Sequence, residues 1–464
     1  MDNGITSELD GIDLGDARLN RRGKQIIESL SSNPEASINA ASDGWAETLA
    51  AYRFFDNDAV TPEAILAPHI ESTIERIRCH PVSLVSQDTS ELDFTSHPPK
   101  DARCLDDERR FGLYDHTQVA TTVEGLPLGV VGVEYFDREA DSLGKSQERR
   151  NWPIEEKESF RWLKGYRQGC ALARACPETQ IVSIADREAD IYDIFVEAER
   201  ESGPADYIIR SKVVRSTLER DVEAGGAVYH KVRETVASSE LRGTRTIQLT
   251  RTPKRESREA CLALRAMTIT VKPPHARPSL GPVTLNVVLA EEVNGPNDGT
   301  DVSWLLITSL PTETIEDIFR VLDYYVGRWA IEVYFRILKT GCKVEDIQLE
   351  TRARLKNCLA MYKIIAWRVM YLTHLNRHAP DTPCDSVFAD CEWKSVWQVA
   401  KKTRPPKKPP TLGEFMKFLT GLGGYNNRRT ERPPGPQPVW VGIRRMTDFA
   451  IAWLAFNEVN QTCV

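Results

Sequence analysis

The stretch from Tyr324 to Gly341, which reads YYVGRWAIEVYFRILKTG, constrains the fold more than any other part of the sequence. At about 100° per residue on a helix, its polar residues fall within a stripe roughly 80° wide, and the rest of the circumference is mostly apolar. The stripe consists of Tyr325, Arg328, Glu332, Arg336 and Lys339. A helix that is apolar around most of its girth is normally buried, and buried charge is costly unless it is paired or used. The pattern therefore predicts a packed helix with a charged stripe.

Two interpretations of this stripe are open. In the first, a surface helix carries an Arg328–Glu332 pair at i,i+4, which is worth only a few tenths of a kcal/mol. In the second, Glu332 is a metal-binding carboxylate and the neighbouring cations hold a polyanion beside it. The apolar surroundings favour the second interpretation.

Length, cysteine content and charge exclude several classes of protein. The 464 residues are enough for two or three domains, and the chain has no apolar run of the length that spans a membrane. The 10 cysteines are scattered without a CxxC pair, which argues against a zinc site and a disulfide framework and favours a reducing cytoplasm. The net charge of −7 taken alone disfavours nucleic acid, so a DNA-binding hypothesis must rest on local basic clusters.

The first 78 residues are predicted to form a small helical unit. Asp16 is expected to cap a helix through Leu30, a second helix follows Ser42, and a third covers roughly residues 62–78. Cations in the first helix are either a solvated face or phosphate contacts of a DNA-end-binding domain. These cations are Arg18, Arg21, Arg22 and Lys24.

Two short apolar runs further along the chain end in acidic residues. Residues 81–88 are predicted to form a strand that ends at Asp88, and residues 180–185 a strand that delivers Asp186 of the DREAD segment. Strands that finish on carboxylates and lead into helices place those acids where α/β sheets hold their active sites. An aspartate followed by acids is also ordinary helix-start chemistry, so capping remains an alternative role for Asp186.

Between these two strands the sequence predicts a hairpin, formed by residues 118–123 and 128–135, and a helix from about Ile154 to Ala175. From about residue 213 to 299, alternating apolar runs predict a mostly β insertion. It leads into a strand over 303–308, in which Trp304 is either a core residue or a platform for base stacking.

The C-terminal part is predicted to be helical, and it is interrupted by a basic, proline-rich segment from Lys401 to Pro410. This tail is interpreted as an added interaction unit.

The acids Asp88, Asp186 and Glu332 come from distant segments, and one explanation covers all three. Mg²⁺ prefers oxygen ligands, so carboxylates are its usual anchors in phosphate chemistry. Two such ions about 4 Å apart activate an attacking oxygen and stabilise the leaving one. Two sheet aspartates and a helix glutamate would supply such a site.

The spacing Tyr325-x-x-Arg328-x-x-x-Glu332-x-x-x-x-x-x-Lys339 resembles the Y-(2)-R-(3)-E-(6)-K signature of the insertion-sequence-four group of bacterial DDE transposases. Four further segments resemble motifs of that family, in the same order along the chain. They are residues 51–54 (AYRF), 87–90 (QDTS), 186–190 (DREAD) and 419–425 (LTGLGGY).

The resemblance implies an α/β fold, with a ribonuclease-H-like mixed sheet core that carries a β-rich insertion. Helical N- and C-terminal domains flank this core. The implied domains are a DNA-end-binding domain over residues 1–78, a catalytic domain over 79–378 with the insertion at about 213–300, and a C-terminal dimerisation region over 379–464.

The resemblance also implies roles for individual residues. Asp88, Asp186 and Glu332 would be the catalytic triad and would bind two Mg²⁺ ions, with Mn²⁺ as a substitute. Trp304 stands where the family places its stacking tryptophan, and Arg336 stands where relatives can carry lysine. The implied DNA contacts are Tyr325, Arg328, Lys339, Arg336, Trp304, Arg187, Arg210, Arg53, Arg18, Arg21, Arg22 and Lys24.

The function implied is cut-and-paste DNA transposition. One strand is hydrolysed at the transposon end, the freed 3′-hydroxyl makes a hairpin, the hairpin is reopened, and the 3′-end joins target DNA. The expected partners are double-stranded DNA and a second copy of the chain, with no membrane, in the nucleoid-associated cytoplasm of a bacterium. The alternatives are a catalytically idle end-binding inhibitor of transposition and a general nuclease with the same fold.

Overall fold

A computed structural model describes residues 4–138, 152–200, 203–223, 226–249, 255–296, 298–428 and 433–462. Within these ranges the chain forms a large mixed sheet with helices packed around it, which confirms the predicted mixed α/β class with helical ends. The strands are β1 (Val82–Asp93), β2 (Arg103–Cys104), β3 (Phe111–Thr121), β4 (Pro127–Phe136), β5 (Gln180–Ala185), β6 (Asp206–Arg210), β7 (Ser216–Glu223), β8 (Gly226–Lys231), β9 (Gly243–Leu249), β10 (Arg258–Val271), β11 (Val283–Glu292) and β12 (Ser303–Thr308).

The helices lie mostly at the two ends of the chain and on the faces of the sheet. They are α1 (Ala17–Ser32), α2 (Ile38–Ala41), α3 (Trp45–Phe55), α4 (Pro62–Arg78), α5 (Phe160–Ala175), α6 (Tyr192–Arg200), α7 (Val232–Ala237), α8 (Ile315–Gly327), α9 (Trp329–Arg336), α10 (Arg352–His378), α11 (Asp390–Lys401), α12 (Leu412–Leu422) and α13 (Pro436–Thr462). The predicted cap is present, since Asp16 accepts from the Arg18 N–H. Thr314 forms a capping box with Asp317 at the start of α8.

The centre of the sheet has the strand order β4-β3-β1-β5-β6. Strand β1 pairs antiparallel with β3 and parallel with β5, and β6 runs parallel to β5. Leu84 packs into the apolar core on one face of β1 and Val85 into the core on the other. A strand covered on both faces reads as a continuous apolar run, which explains why β1 and β5 were readily predicted.

Strand β1 is longer than the sequence predicts, because it continues to Asp93 instead of ending at Asp88. Its parallel pairing with β5 stops at Gln87, opposite Ala185, and residues 88–93 pair with β3 alone. Asp88 is therefore the first residue of β1 beyond the parallel ladder. The residues that follow Asp88 are mostly polar, so the sequence did not predict a strand there. Pairing with β3 holds them extended.

The predicted hairpin is confirmed, although β3 already begins at Phe111. The helix predicted from Ile154 begins at Phe160, after one 3₁₀ turn over Ile154–Glu156. The β-rich character of residues 213–300 is also confirmed.

The insertion continues the main sheet. Strand β12 pairs with β6 on one side and with β11 on the other, and β10 and β7 extend the same order. In this register Arg210 lies opposite Leu306, so β12 brings Trp304 to the strand next to β6. The pairing therefore joins the predicted insertion to the strands that carry the acidic residues.

The prediction of one continuous helix from Tyr324 to Gly341 is wrong at Arg328. Helix α8 ends at Gly327, and α9 begins at Trp329. Tight turns replace the α-helical pattern here: the Arg328 N–H donates to the Tyr325 carbonyl and the Ile331 N–H to the Arg328 carbonyl, both at 3.1 Å. Residues Ile337–Gly341 then form a π-helical turn. A straight polar stripe cannot pass through these two irregularities.

The terminal helices share an apolar core with α10, which is buried around most of its circumference. Trp440 of α13 lies in this core. Its indole packs against Gly341, where a Cβ would lie 2.9 Å from the ring, and its Nε1–H donates to Glu35 at 2.9 Å. Residues from all three predicted domains therefore meet around α10.

A buried ion pair joins α10 to the sheet. Lys363 is fully buried, and its ammonium donates to the Asp115 carboxylate and, at 2.5 Å, to Thr117 Oγ1. Burial lowers the pKa of Lys363, and the charge of Asp115 opposes that shift.

We expect Lys363→Met to destabilise the protein by about 3–5 kcal/mol, because it leaves the buried Asp115 carboxylate without its counter-ion. The double variant Lys363→Met/Asp115→Leu should recover most of the loss. Thermal unfolding followed by calorimetry measures both effects. Lys100→Met serves as the control, because Lys100 pairs with Glu350 at 2.7 Å on the exposed surface and should change stability by less than about 1 kcal/mol. Equal shifts for the two single variants would contradict the assignment.

Candidate active site

Asp88, Arg328 and Glu332 meet where β1 approaches the break between α8 and α9. One guanidinium connects the two acids: Arg328 Nη1 donates to Asp88 Oδ2 at 3.0 Å, and Nη2 donates to Glu332 Oε1 at 2.9 Å. The Arg328 side chain is 14% exposed, compared with 19% for Asp88 and 40% for Glu332. Arg328 of the polar stripe therefore pairs with Asp88 of the sheet as well as with Glu332 at i,i+4.

Asp186 belongs to the same cluster. The pKa of Asp88 is raised to about 6, chiefly by burial; Arg328 opposes this shift, and the charges of Asp186 and Glu332 add to it. Both neighbouring carboxylates therefore disfavour the charged form of Asp88, and carboxylate oxygens are the ligand type that a divalent cation prefers.

The carboxylates of Asp88, Asp186 and Glu332 are suitable ligands for a metal ion by their chemistry, but their positions do not form a metal site. Among the residues that the structure describes, no three His, Cys, Asp or Glu side chains are arranged to hold a metal ion. The guanidinium of Arg328 lies between Asp88 and Glu332 and provides the positive charge at this point. A cation could be held by Asp88, Asp186 and Glu332 only after Arg328 releases at least one carboxylate.

Asp186 also has the capping role that the sequence left open. Its Oδ1 accepts from the Glu188 N–H at 2.8 Å and starts a 3₁₀ turn over Arg187–Ala189. The side chain of Asp186 remains partly accessible, and Arg187 is exposed on the turn. Capping fixes the direction of the carboxylate without consuming its second oxygen.

Asp190, at the end of the DREAD segment, is a structural residue. Its carboxylate accepts from the Lys212 and Val213 N–H groups at 2.8 and 2.7 Å and pairs with Arg215. These contacts hold the loop that follows β6.

Tyr325, Trp304 and Arg210 line the neighbouring side of the site. The ring centroids of Trp304 and Tyr325 are 5.2 Å apart at an interplanar angle of 68°. Burial raises the pKa of Tyr325; Arg328 and Arg210 oppose this shift and Asp186 adds to it, which places all three charges near the phenol. Trp304 is half-buried, so it packs against Tyr325 and keeps part of its surface accessible.

Lys339 and Arg336 are not part of the contact between Asp88 and Arg328. Lys339 Nζ donates to the Glu91 carbonyl at 2.9 Å and pairs with Glu345 at 3.0 Å. The π turn thus directs this lysine toward a later part of β1. Arg336 is exposed.

The cations predicted in the N-terminal unit differ in their surroundings. Arg18 pairs with Asp16 at 2.8 Å and Lys24 with Asp10 at 2.5 Å, so part of the positive charge is neutralised locally. Arg21 and Arg53 are exposed, and Arg22 is half-buried. The structure leaves these three arginines on or near the surface of α1 and α3.

A supporting network that the sequence did not reveal holds β1 and the DREAD turn together. Arg161 of α5 donates to Thr89 Oγ1 at 3.0 Å and to Glu188 Oε2 at 3.1 Å. Thr89 is also hydrogen-bonded to His116 Nδ1 at 2.9 Å, and burial lowers the pKa of His116 to about 3, so this ring is neutral at pH 7. Arg161 lies 72 positions from Thr89, and no local pattern could have indicated the contact.

Two segments of the chain match known protein families. Residues 1–60 match the family described as Transposase DNA-binding, and residues 364–455 match the Transposase Tn5 dimerisation domain. Both ends of this chain are therefore similar to segments of transposases. They support DNA binding by the N-terminal segment and homodimer formation by the C-terminal one. Asp88, Asp186 and Glu332 all lie between them.

Among solved structures, the chain is similar to a piggyBac transposase synaptic complex with hairpin DNA, at a TM-score of 0.32 and 10% identity. The similarity covers 85% of this chain and 63% of that chain, so this chain spans less than two thirds of the length of its match. Within the described ranges, none of the helices has the length and apolarity needed to cross a membrane.

We expect Asp88→Asn to stabilise the folded protein near pH 7, because it removes a carboxylate whose ionisation is disfavoured. Displacement of the pKa from 3.8 to about 6 corresponds to roughly 3 kcal/mol of destabilisation when Asp88 is charged. The folded-state pKa is the higher one, so this cost is absent below pH 3.8, develops between pH 4 and 6, and is constant above pH 6. Arg328 retains Glu332 as a partner in the variant.

Thermal unfolding of wild type and variant between pH 4.5 and 8 measures this difference. The stabilisation should grow as the pH rises to about 6 and then level off. Asp58→Asn is the control, because Asp58 is exposed in the loop after α3 and should give no comparable gain. A stabilisation by Asp88→Asn that is independent of pH would contradict the electrostatic explanation.

Proposed function

We propose that this protein is a cut-and-paste DNA transposase of the Tn5 type, in the insertion-sequence-four group, with Asp88, Asp186 and Glu332 as its catalytic DDE residues. The observation that carries the proposal is the double pairing of Arg328 with Asp88 and Glu332, beside Asp186, which directly follows the strand residue paired with Gln87. They lie between an N-terminal segment that matches a transposase DNA-binding family and a C-terminal segment that matches a transposase dimerisation domain.

We infer that the catalytic core is ribonuclease-H-like. The order β4-β3-β1-β5-β6 supports this inference, since three strands form an antiparallel meander and the last two run parallel to β1. Asp88 and Asp186 follow the end of the β1–β5 parallel ladder, and Glu332 approaches from α9. In such a core, parallel strands and one helix deliver the acids to a single point.

In the proposed reaction Asp88, Asp186 and Glu332 would hold two Mg²⁺ or Mn²⁺ ions once Arg328 has released a carboxylate. When bound, these ions would activate the attacking oxygen and stabilise the leaving oxygen of an in-line phosphoryl transfer. Arg328 has two roles in this scheme. Without DNA it neutralises Asp88 and Glu332. On the DNA complex its guanidinium transfers to a backbone phosphate, which it can clamp through two parallel hydrogen bonds.

Other side chains around the site would hold the terminal nucleotides. Arg210 and Arg328 lie near the phenol of Tyr325, and Arg187 is exposed on the adjoining turn. Lys339 and Arg336 lie further along the same helical segment, and Lys339 would have to leave Glu345 to reach a phosphate. In the N-terminal segment, the proposed phosphate contacts are Arg18, Arg21, Arg22, Lys24 and Arg53.

Trp304 would stabilise the hairpin intermediate. After one strand is cut, the 3′-hydroxyl attacks the opposite strand, which requires a base to leave the stack at a cost of roughly a few kcal/mol. Stacking on an aromatic side chain returns about 1–3 kcal/mol per base. Trp304 is half-buried against Tyr325, so its accessible face can take the displaced base before the hairpin is reopened and the end is joined to target DNA.

We propose that the active species is a homodimer on paired DNA ends in the cytoplasm of a bacterium, associated with the nucleoid. Cleavage mapping with Mg²⁺ on the DNA that flanks the gene tests the whole scheme. Nicking at the element end followed by a hairpin is the expected product. Binding without nicking would favour an idle end-binding inhibitor, and cleavage of DNA that lacks an end sequence would favour a general nuclease.

Glu332→Gln should lower strand cleavage by at least about a hundredfold, since it removes a charged ligand worth several kcal/mol to the reaction. Affinity for end-containing DNA should change by less than about threefold. A gel assay with labelled end duplex measures both quantities. Glu316→Gln is the matched control, because Glu316 is exposed on the adjoining α8 and should leave cleavage unchanged. Near-wild-type cleavage by Glu332→Gln would refute its assignment.

Trp304→Ala should preserve nicking of the first strand and reduce hairpin formation by about tenfold or more, because the displaced base loses its stacking surface. Resolving nicked and hairpin products on a denaturing gel gives the two rates separately. Trp304→Phe retains an aromatic face beside Tyr325 and should recover most of the hairpin product. Equal loss of both steps in Trp304→Ala, without recovery in Trp304→Phe, would assign Trp304 to packing alone.

A further inference from the structure

We propose that the segment from Lys402 to Lys408, here called the basic segment, binds the sugar-phosphate backbone of the target duplex. This inference rests on the proposed function, and it adds a second DNA-binding site to the N-terminal one. The segment connects α11, which ends at Lys401, to α12, which begins at Leu412. It presents four exposed cations: Lys402, Arg404, Lys407 and Lys408.

The charge of the basic segment is not neutralised nearby. The sequence has no acidic residue between Glu392 and Glu414, although the whole chain carries a net charge of −7. Lys401 is a different case, because its ammonium lies 3.8 Å from Glu414 and 5.1 Å from the centre of the Phe418 ring. In the part of the chain that the structure describes, the ion pairs include Lys401 but none of the four cations of the basic segment.

The two ends of the basic segment are fixed by the neighbouring structure. Lys402 ends α11 in the left-handed conformation with φ of 56°. At the other end, the Pro410 carbonyl accepts from the Cys384 N–H at 3.0 Å, and Thr411 forms an isolated bridge with Pro383. Pairs of prolines at 405–406 and 409–410 fix φ along the segment. Ordering this segment on a ligand therefore costs little conformational entropy.

The spacing of the cations suits a nucleic-acid backbone. A proline-rich extended chain advances about 3.1 Å per residue, so the positions from Lys402 to Lys408 span at most about 20 Å. The bends at residues 402–403 and 407–408 shorten this distance. One DNA strand carries a phosphate for about every 3.4 Å of helix axis, so all four cations can meet phosphates of one duplex. The dimer proposed above would present two such segments and could hold one long duplex at two places.

The chemistry of the basic segment favours target DNA over the transposon end. Phosphate contacts fix the position of a protein on DNA but carry no sequence information. The segment has neither a helix nor a strand between Lys402 and Pro410 that could enter a groove and read base edges. The joining step needs a second duplex of no particular sequence, in addition to the end that residues 1–60 would recognise. A sequence-independent cationic segment meets that need.

The test compares the full-length protein with two variants in which the same four positions are changed. The neutral variant carries Lys402→Gln, Arg404→Gln, Lys407→Gln and Lys408→Gln. The matched control keeps all four charges through Lys402→Arg, Arg404→Lys, Lys407→Arg and Lys408→Arg. Circular dichroism and gel filtration verify that both variants fold and assemble like the wild type.

The first measurement is the affinity for a duplex of about 40 base pairs that lacks the end sequence, over a series of salt concentrations. We expect the neutral variant to bind about tenfold more weakly near 0.1 M salt. The slope of its log affinity against log salt concentration should be shallower by about 0.9 for each phosphate that the variant no longer neutralises. The control variant should match the wild type.

The second measurement is activity. The neutral variant should join pre-cleaved ends to target DNA about tenfold more slowly, because its hold on the target duplex is weaker. Nicking of end DNA should stay within about twofold of the wild type, since that step does not need the second duplex.

Unchanged duplex affinity and salt dependence in the neutral variant would overturn the proposal, even if binding to anionic phosphatidylserine vesicles or to another protein were lost. Equal losses in nicking and joining would also overturn it. If the wild type neither nicks nor joins DNA but the neutral variant still loses duplex affinity, the transposase proposal fails and the basic segment stands as a duplex-binding site. If the wild type joins ends and the neutral variant joins them equally fast, the inference about target DNA fails alone.

Discussion

The bridge from Arg328 to Asp88 and Glu332 is the interaction on which the candidate site depends. Arg328 lies at the junction between α8 and α9, and from there its guanidinium contacts both β1 and Glu332 four residues further along the chain. Two partly buried carboxylates would repel each other strongly without it. In the proposed scheme, a cation that replaced the guanidinium would leave Arg328 free for a phosphate.

The sheet sets the position of this bridge, and a second layer of side chains keeps it there. The parallel register of β1 and β5 ends one residue before Asp88 and at the residue before Asp186, so both acids leave the ladder together. Arg161 then ties Thr89 to Glu188, which couples the next residue of β1 to the turn that holds Asp186. Side chains outside a site commonly fix its geometry in this way, and Arg161 would do so for the proposed active site.

Sequence reasoning succeeded where the signal was local. Strand β5 and the Asp16 cap each depend on a few adjacent residues, and each is present. The extension of β1 was missed because its partner β3 is distant in sequence. The direction of Lys339 was missed because ideal helical spacing cannot anticipate a π turn. Arg161 was missed because its role arises only from tertiary contacts.

The position of Trp440 connects three distant parts of the chain. It belongs to the segment that matches the dimerisation domain. Its indole N–H donates to Glu35 in the segment that matches the DNA-binding family, and its ring covers Gly341 at the end of the π-helical turn after α9. Close-packed interiors transmit small displacements and do not absorb them. A movement of α13 by even an ångström would therefore reach both the segment that matches the DNA-binding family and the helical segment of the proposed active site through the indole ring of Trp440.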